Sequence, residues 1–464
     1  MSTATQVAYL FTALCFILAL KGLSSPKHAR NGNLIGALGA TVAVVVTVSQ
    51  RHLGHRVPII IAIVAGAAIA VPAARMVKMT AIPQMVAMFN GVGGGAAMLV
   101  ALDEFLRLHR VDSTAAAIAV AFTAIVGSVS FTGSLITFGK LQELMTGRPI
   151  LVPGARFVTP LVGLGAVGCG IAAVATASGK TGSVTFLVIC TVLALGLGVL
   201  FVLPVGGADV PVVISLLNAF TGLTVAASGY VLDNTLLIVA GTLVGASGTM
   251  LTLLMARAMG RSITGVLFGA FSGSSTAGST DEVVSSDRAV KSAGADDIAI
   301  LLAYARKVAI VPGYGLAVAQ AQHTIRELVD LLESRGVEVF YAIHPVAGRM
   351  PGHMNVLLAE ANVPYEQLKE MDDANTEFSS TDVAVIVGAN DVVNPAARDS
   401  AGSPIYGMPI LNVDEATNVV FMKRSMRPGF AGIDNALLYH PKTTLFFGDA
   451  KDSLTKLVAA VKAI

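Results

Sequence analysis

The stretch KVAIVPGYGLAVAQAQHTIRELVDLL, residues 307–332, sets a β-branched run, a Gly-x-Gly turn and helical periodicity in succession. That order suits a dinucleotide pyrophosphate. Gly313 permits the tight turn, and Gly315 lets backbone approach phosphates at a helix N-terminus. Tyr314, Leu316 and Ala317 complete the turn, and the third fingerprint position, which favours a small residue, is Val318. The strand VEVFYAIHP ends in Ala342, Ile343, His344 and Pro345, with no acid for a ribose 2′-hydroxyl. A 2′-phosphate is the better-matched ligand, and FMKRS offers Lys423, Arg424 and Ser425 directly after a strand. Charges at strand ends commonly just face water, which is the competing reading of that triplet. In HPVAGRMPGHMN, the residues His344, Arg349 and His353 could clamp phosphate oxygens. Asp391 follows Gly388, Ala389 and Asn390 in GANDVVNPAA, at the strand end where α/β sheets bind ligands. Its alternative is a solvated loop acid.

These residues need a scaffold. Apolar runs predict strands at 307–312, 337–343, 382–388, 408–413, 418–422 and 443–447, alternating with helices at 315–335, 353–361 and 450–463. Asp449 stands where it would cap the last helix. The expectation is a cytosolic α/β Rossmann-like domain with a parallel sheet over residues 291–464. Residues 261–290 have the Ser/Gly-rich composition of a linker.

Before it lies a different kind of chain. Nine apolar segments centre on 5–23, 34–50, 57–74, 83–102, 115–138, 158–177, 184–204, 210–230 and 234–256, each close to the roughly 20 residues a membrane span needs. Residues 1–260 therefore read as a multi-pass α-helical membrane domain. Ten Lys and Arg flank one side of these segments and five the other, which predicts the N-terminus outside and the C-terminal domain in the cytoplasm. Within the segments, Asn90 and Asn218 are the polar residues with most to explain. Ser215 and Gly222 share a helical face with Asn218, and Asp209 stands at the edge of the same segment. Ser128 and Thr132 are four residues apart in the fifth segment. Helix cross-linking by hydrogen bonds is the plain reading of such groups. No Lys, Arg, Asp, Glu or His stands in mid-segment, so a relay of fixed ionisable groups is not available. Gly91, Gly93, Gly94 and Gly95, and Gly241, Gly245 and Gly248, would let helix backbones pack closely.

Composition narrows the classes further. A chain of 464 residues with 54% hydrophobic and 13% charged residues is far from a purely soluble protein. A net charge of +2, with no basic cluster among aromatics, gives no case for nucleic acid. Cys15, Cys169 and Cys190 lie in apolar segments without metal-ligand spacing.

The stretches PGYGLAVAQAQ, HPVAGRMPGHMNVLLAEANVPY, GANDVVNPAA, FMKRSM and GDAK follow one another behind the nine segments. With them the chain resembles, over essentially its whole length, the β subunit of proton-translocating NAD(P) transhydrogenase. The resemblance implies an NADP(H) site in the C-terminal domain, reversed in orientation relative to ordinary Rossmann enzymes. It implies pyrophosphate near Gly313 to Ala317 and the 2′-phosphate on Lys423, Arg424 and Ser425. Arg349 and the loop Gly448, Asp449, Ala450 and Lys451 would enclose the cofactor, and Asp391 would link protonation to its binding. A separate α subunit with further membrane helices would bind NAD(H), with hydride passing directly between the two nicotinamides. The assembly implied is a homodimer of such heteromers in a bacterial plasma (inner) membrane. Asn218, Asp209 and Gly248 match positions implicated in proton coupling. One departure stands out: many members carry histidine where this chain has Asn90, and asparagine cannot titrate. That relay role does not carry over, and a histidine on a partner helix would have to take it. A channel or transporter governed by a nucleotide-sensing domain is the other class the pattern allows, although no ion filter is evident.

Overall fold

The computed structural model describes residues 3–49, 56–107, 114–142, 144–146, 150, 152–176, 180–206, 209–259, 262, 290–348, 352–400, 403, 405–429 and 431–464. Among them are nine helices long and apolar enough to cross a membrane. They are α1 (Thr3–Leu23), α2 (Pro26–Val48), α3 (Arg56–Met76), α4 (Ile82–Arg107), α5 (Thr114–Leu141), α6 (Ala155–Ala175), α7 (Lys180–Val202), α8 (Val210–Val231) and α9 (Thr235–Ala258). Each expected segment falls on one of them.

Glycine decides how these helices meet. A Cβ at Gly94 would lie 3.0 Å from that of Ser130, and one at Gly91 3.1 Å from that of Ser134, so α4 lies flush on α5. A Cβ at Gly222 would lie 2.5 Å from Gly245 N, and one at Gly248 3.0 Å from Ala219 Cα, so α8 and α9 touch backbone to backbone. Close approach of this kind replaces the hydrophobic drive that lipid removes.

The C-terminal domain is built separately, around six parallel strands in the order β3-β2-β1-β4-β5-β6. In chain order they are β1 (Lys307–Pro312), β2 (Glu338–Ile343), β3 (Leu368–Glu370), β4 (Val383–Val387), β5 (Asn418–Lys423) and β6 (Thr443–Phe447). The helices are α10 (Ala295–Ala303), α11 (Tyr314–Val318), α12 (Gln322–Glu333), α13 (His353–Glu360), α14 (Met371–Glu377) and α15 (Ala450–Ala463), with a short turn of helix at Ala396–Asp399. The central strands are buried on both faces, as parallel strands between helical layers are. Val308 and Ile310 of β1 join the core under α12 and α15, whereas Ala309 and Val311 join the core on the other face with Phe340 and Phe378.

Two expectations are corrected. Residues 408–413 form no strand. They run as coil across the sheet's edge, where Leu411 N donates to Val392 O (2.9 Å) and Asn375 Nδ2 to Ile410 O (3.0 Å). Apolar Ile405, Met408 and Ile410 are buried in a small satellite core, which explains the strand-like pattern without a ladder. The sixth strand is instead the three-residue β3, too short to show periodicity. The single helix expected at 315–335 is two, because Gln320 takes a left-handed φ of 52°. There Gln320 N donates to Ala317 O (3.1 Å) and Ala321 N to Leu316 O (3.2 Å), the paired bonds of a Schellman stop. Of the residues expected as linker, all but Ser262 and Val290 lie outside those described, as does Arg349.

Candidate functional site

The register of the sheet brings the expected site residues to one edge. Pro312 pairs with Val387, Val387 with Met422, and Lys423 with Phe447. The residues just beyond these strands are Gly313, Gly388, Arg424 and Gly448, all at the carboxyl ends where doubly wound sheets bind ligands.

The glycines there serve a purpose that the fingerprint did not suggest. Gly313 N donates to Val387 O (2.9 Å) and Gly315 N to Gly388 O (3.0 Å), so the loops after β1 and β4 are laced together. A Cβ at Gly313 would lie 2.5 Å from Ala389 Cα, and one at Gly315 2.6 Å from Gly388 Cα. Gly388 itself has φ 68° and its Cβ would overlap Gly315 Cα. These two amides are committed within the protein; the glycines let two backbones touch and form a double-turn floor. Leu316 and Ala317 are fully buried beneath it, so their side chains are core. Val318 is 47% exposed, and a third small residue is not needed for packing there. Tyr314 lies against His353, ring centroids 6.3 Å apart.

Beside this floor, Asp391 organises a loop. Its Oδ2 accepts from Ala431 N (2.9 Å) and its Oδ1 from Asn390 Nδ2 (3.0 Å). Asn390 Oδ1 in turn accepts from Lys423 Nζ (3.3 Å), and Asn390 O accepts from Asn435 Nδ2 (3.0 Å). A Cβ at Gly429 would strike the Asp391 and Asn390 side chains, so the Gly429 backbone lies directly on them. Lys423 is half-buried, and burial lowers its pKa against the pull of Asp434 and Asp391. Arg424 and Ser425 are exposed next to it. Gly448 N donates to Lys423 O (3.0 Å), and Asp449 Oδ1 caps α15 by accepting from Lys451 N (2.9 Å), which sets Ala450 and Lys451 at the same edge. Asn435, Gly429 and Ala431 were not singled out from the sequence, because none belongs to a motif near a strand end.

His344 turns its ring into the protein. It is 1% exposed, its Nδ1 accepts from Val346 N (3.2 Å), and its Nε2–H donates to Pro409 O (2.8 Å). It ties the loop that Pro345 opens after β2 to the 405–412 segment, as a neutral imidazole. Burial pushes its pKa down to about 4. Protonation of the unfolded chain near 6.5 is then unmatched in the fold until pH 4, so its contribution is complete above 6.5 and is lost as pH falls through that window. The loss is on the order of 3 kcal/mol at 1.4 kcal/mol per unit. A His344→Gln variant should show a shallower fall in thermal stability between pH 6.5 and 4 than the parent; equal slopes would rule this out.

In the membrane domain, Asn90 is buried and donates from Nδ2 to Ser134 Oγ (2.9 Å) and Ser130 Oγ (3.4 Å). Ser130 Oγ donates to Leu217 O (3.0 Å) and shares a hydrogen bond with Thr221 Oγ1 (2.5 Å), so one polar cluster joins α4, α5 and α8. Asn90 Oδ1 is buried without a partner. Of the two hydroxyls singled out from the sequence, Ser128 bonds back to Ala124 O (2.6 Å) along its own helix, whereas Thr132 reaches both Ser128 O (3.0 Å) and Leu195 O of α7 (2.8 Å) and so cross-links two helices. The contacts to Asn90 come from the pair two residues further on, Ser130 and Ser134. Ser215 Oγ donates to Gly248 O (3.2 Å), linking α8 to α9. Asn218 is half-buried and makes no hydrogen bond among the described residues; Asp209 takes the N-cap position of α8. Lys140, just past the expected fifth segment, is 4% exposed and donates from Nζ to Val202 O, Leu203 O and Val205 O at 3.0, 2.6 and 2.7 Å.

A multi-pass membrane domain followed by a doubly wound domain with a glycine-built ligand edge defines a membrane protein carrying a dinucleotide-type fold. Comparison with known proteins narrows this. The family model described as NAD(P) transhydrogenase beta subunit matches residues 5–460, and the chain belongs to that family. Two curated relatives, both NAD(P) transhydrogenase subunit beta of Rhodospirillum rubrum and one of them from a specified strain, are each 45% identical over 464 residues. Each alignment covers 98% of this chain and 99% of the relative.

Proposed function

We propose that this chain binds NADP(H) at the carboxyl edge of its C-terminal sheet, exchanges hydride with NAD(H) held by an α subunit, and couples that exchange to proton movement through its membrane helices. One observation carries the cofactor choice. The end of β2 offers a buried His344 and no acid, while Lys423, Arg424 and Ser425 stand at the end of β5 on the same edge as the double turn. Bound NADP(H) supplies the hydride chemistry. The residues of this chain bind and orient it: exposed Arg424 and Ser425 suit a 2′-phosphate, and the Gly313–Gly388 floor gives a flat backbone surface for the pyrophosphate. Since no side-chain acid or base is required for hydride transfer, catalysis is positioning.

Coupling then acts on binding. Asp391 accepts from Ala431 N beside Lys423, and a proton on that carboxylate would remove a charge-assisted acceptor. The same proton therefore loosens that contact and changes NADP(H) affinity, which is linkage in the ordinary sense. The placement we favour is a bacterial plasma membrane, C-terminal domain inside and N-terminus outside, in a homodimer of heteromers.

Sealed vesicles holding this chain with its α subunit test the reading. NADPH should reduce NAD with a simultaneous pH change. Nucleotide-dependent ion flux without hydride transfer would favour the sensor-gated channel instead. In the same vesicles, Asp391→Asn should weaken NADP(H) binding by roughly tenfold, the worth of about 1.4 kcal/mol. Unchanged affinity would remove Asp391 from the coupling.

A further inference from the structure

The α5–α8 seam carries hydroxyls at two levels. Ser130 and Thr221 are hydrogen-bonded to each other, at the level of Asn90. Seven residues away on each helix, two turns or about 10 Å, stand Thr123 and Ser228 on the same faces. Both are buried, at 0% and 8% exposure, and neither hydroxyl has a hydrogen-bond partner among the described residues. Several buried Ser and Thr of these helices bond back to the carbonyl four residues earlier, as Ser128, Thr137, Thr191 and Thr252 do, and Thr159 of α6 is the other buried hydroxyl in them left without a partner among the described residues. Thr123 and Ser228 forgo that bond and line one narrow crevice, with about 180 Å³ of space between its atoms, whose third polar wall is the half-buried Glu104 of α4. Two orphaned buried hydroxyls are costly unless something hydrogen-bonds them part of the time.

We propose that Glu104, Thr123 and Ser228 form a proton port at the end of the seam where α4 terminates, with Glu104 exchanging protons with water and the two hydroxyls leading toward Ser130 and Thr221. This rests on the proton-coupled reading above. The crevice is pinched too tightly for a water to sit inside it, and Ala97, Met98, Ala124 and Gly127 pack dry between the two levels. The structure is thus a closed port, which opens when Glu104 swings and water bridges the hydroxyls. Among the described residues, the titratable groups flanking the crevice-lining positions are Asp103 on α4 and Tyr230 and Asp233 at the end of α8; α5 brings none.

The test uses vesicles with the full chain and its α subunit, reading two fluxes: proton movement under an imposed pH difference, and coupled NADPH-to-NAD hydride transfer. Glu104→Gln should slow both roughly tenfold or more and flatten their dependence on the pH of the side where α4 ends. Glu104→Asp should restore that dependence, and Thr123→Val with Ser228→Ala should slow both fluxes while NADP(H) binding stays intact. Wild-type rates and an unaltered pH profile in Glu104→Gln overturn the port. A wild-type chain that conducts protons without hydride transfer would instead overturn the transhydrogenase reading, and the proton flux alone would still decide on Glu104.

Discussion

Gly388→Ala is expected to abolish NADP(H) binding and to cost the C-terminal domain roughly 4 kcal/mol or more, at the rare end of single substitutions. Two effects add. Gly388 has φ 68°, where an L-residue with a Cβ loses roughly 1–2 kcal/mol. The new methyl would also overlap Gly315 Cα, and backbone cannot swing aside as a flexible side chain could. The β1 and β4 loops must part, breaking the Gly315 N to Gly388 O bond that holds the floor flat. Gly336 supplies the control: its φ is 84°, yet nothing lies within 4 Å of where its Cβ would be. Gly336→Ala should show the conformational cost alone. Thermal unfolding and NADPH titration of the purified full chain would decide it. Equal losses in the two variants would mean that the double turn is not essential.

The second large effect is one of selectivity. Arg424→Ala should weaken NADPH binding roughly ten- to a hundredfold, since a hydrogen bond to a charged group is worth about 1.5–3 kcal/mol. NADH, lacking the 2′-phosphate, should be unaffected. Arg424 is the better probe than Lys423, whose ammonium also bonds Asn390 Oδ1 and so supports the Asp391 loop. Competition titration with the two cofactors gives the answer. Parallel losses for NADPH and NADH would place Arg424 on a phosphate that both share, and the 2′-phosphate would need another home.

Much of this was legible in the sequence because it depends on periodicity and strand ends. Nine apolar segments and five of six strands announce themselves through runs of side chains that must be buried. What stayed hidden depends on contacts between distant segments. Residues 408–413 have a strand's composition because they are buried, yet their partners are the Asn375 side chain and the Val392 carbonyl, which no local pattern can forecast. His344 carries a ligand-like residue type, and only the position of Pro409 O shows that its ring is structural. In the membrane, Ser128 and Thr132 were as conspicuous as Ser130 and Ser134. The difference is which face of α5 meets Asn90, and that is set by where Gly91 and Gly94 let α4 lie.

The two ends of the α5–α8 neighbourhood differ mechanically. Lys140 rivets α5 to the last turn of α7 through three carbonyls, so neither helix end can shift without the other. Between α8 and α9, by contrast, Gly222 and Gly241 set backbone on backbone, with the Leu223 side chain seated on Gly245 and Ser215 bonded to Gly248 O and Thr252 at one end. Such a seam works as a bearing with a latch: the bare backbone stretch resists small axial displacement little, while the Ser215 bonds and the Leu223 side chain hold it at one setting. Filling one of those glycines with a larger residue would add a tooth to the bearing and turn a graded motion into a stepped one.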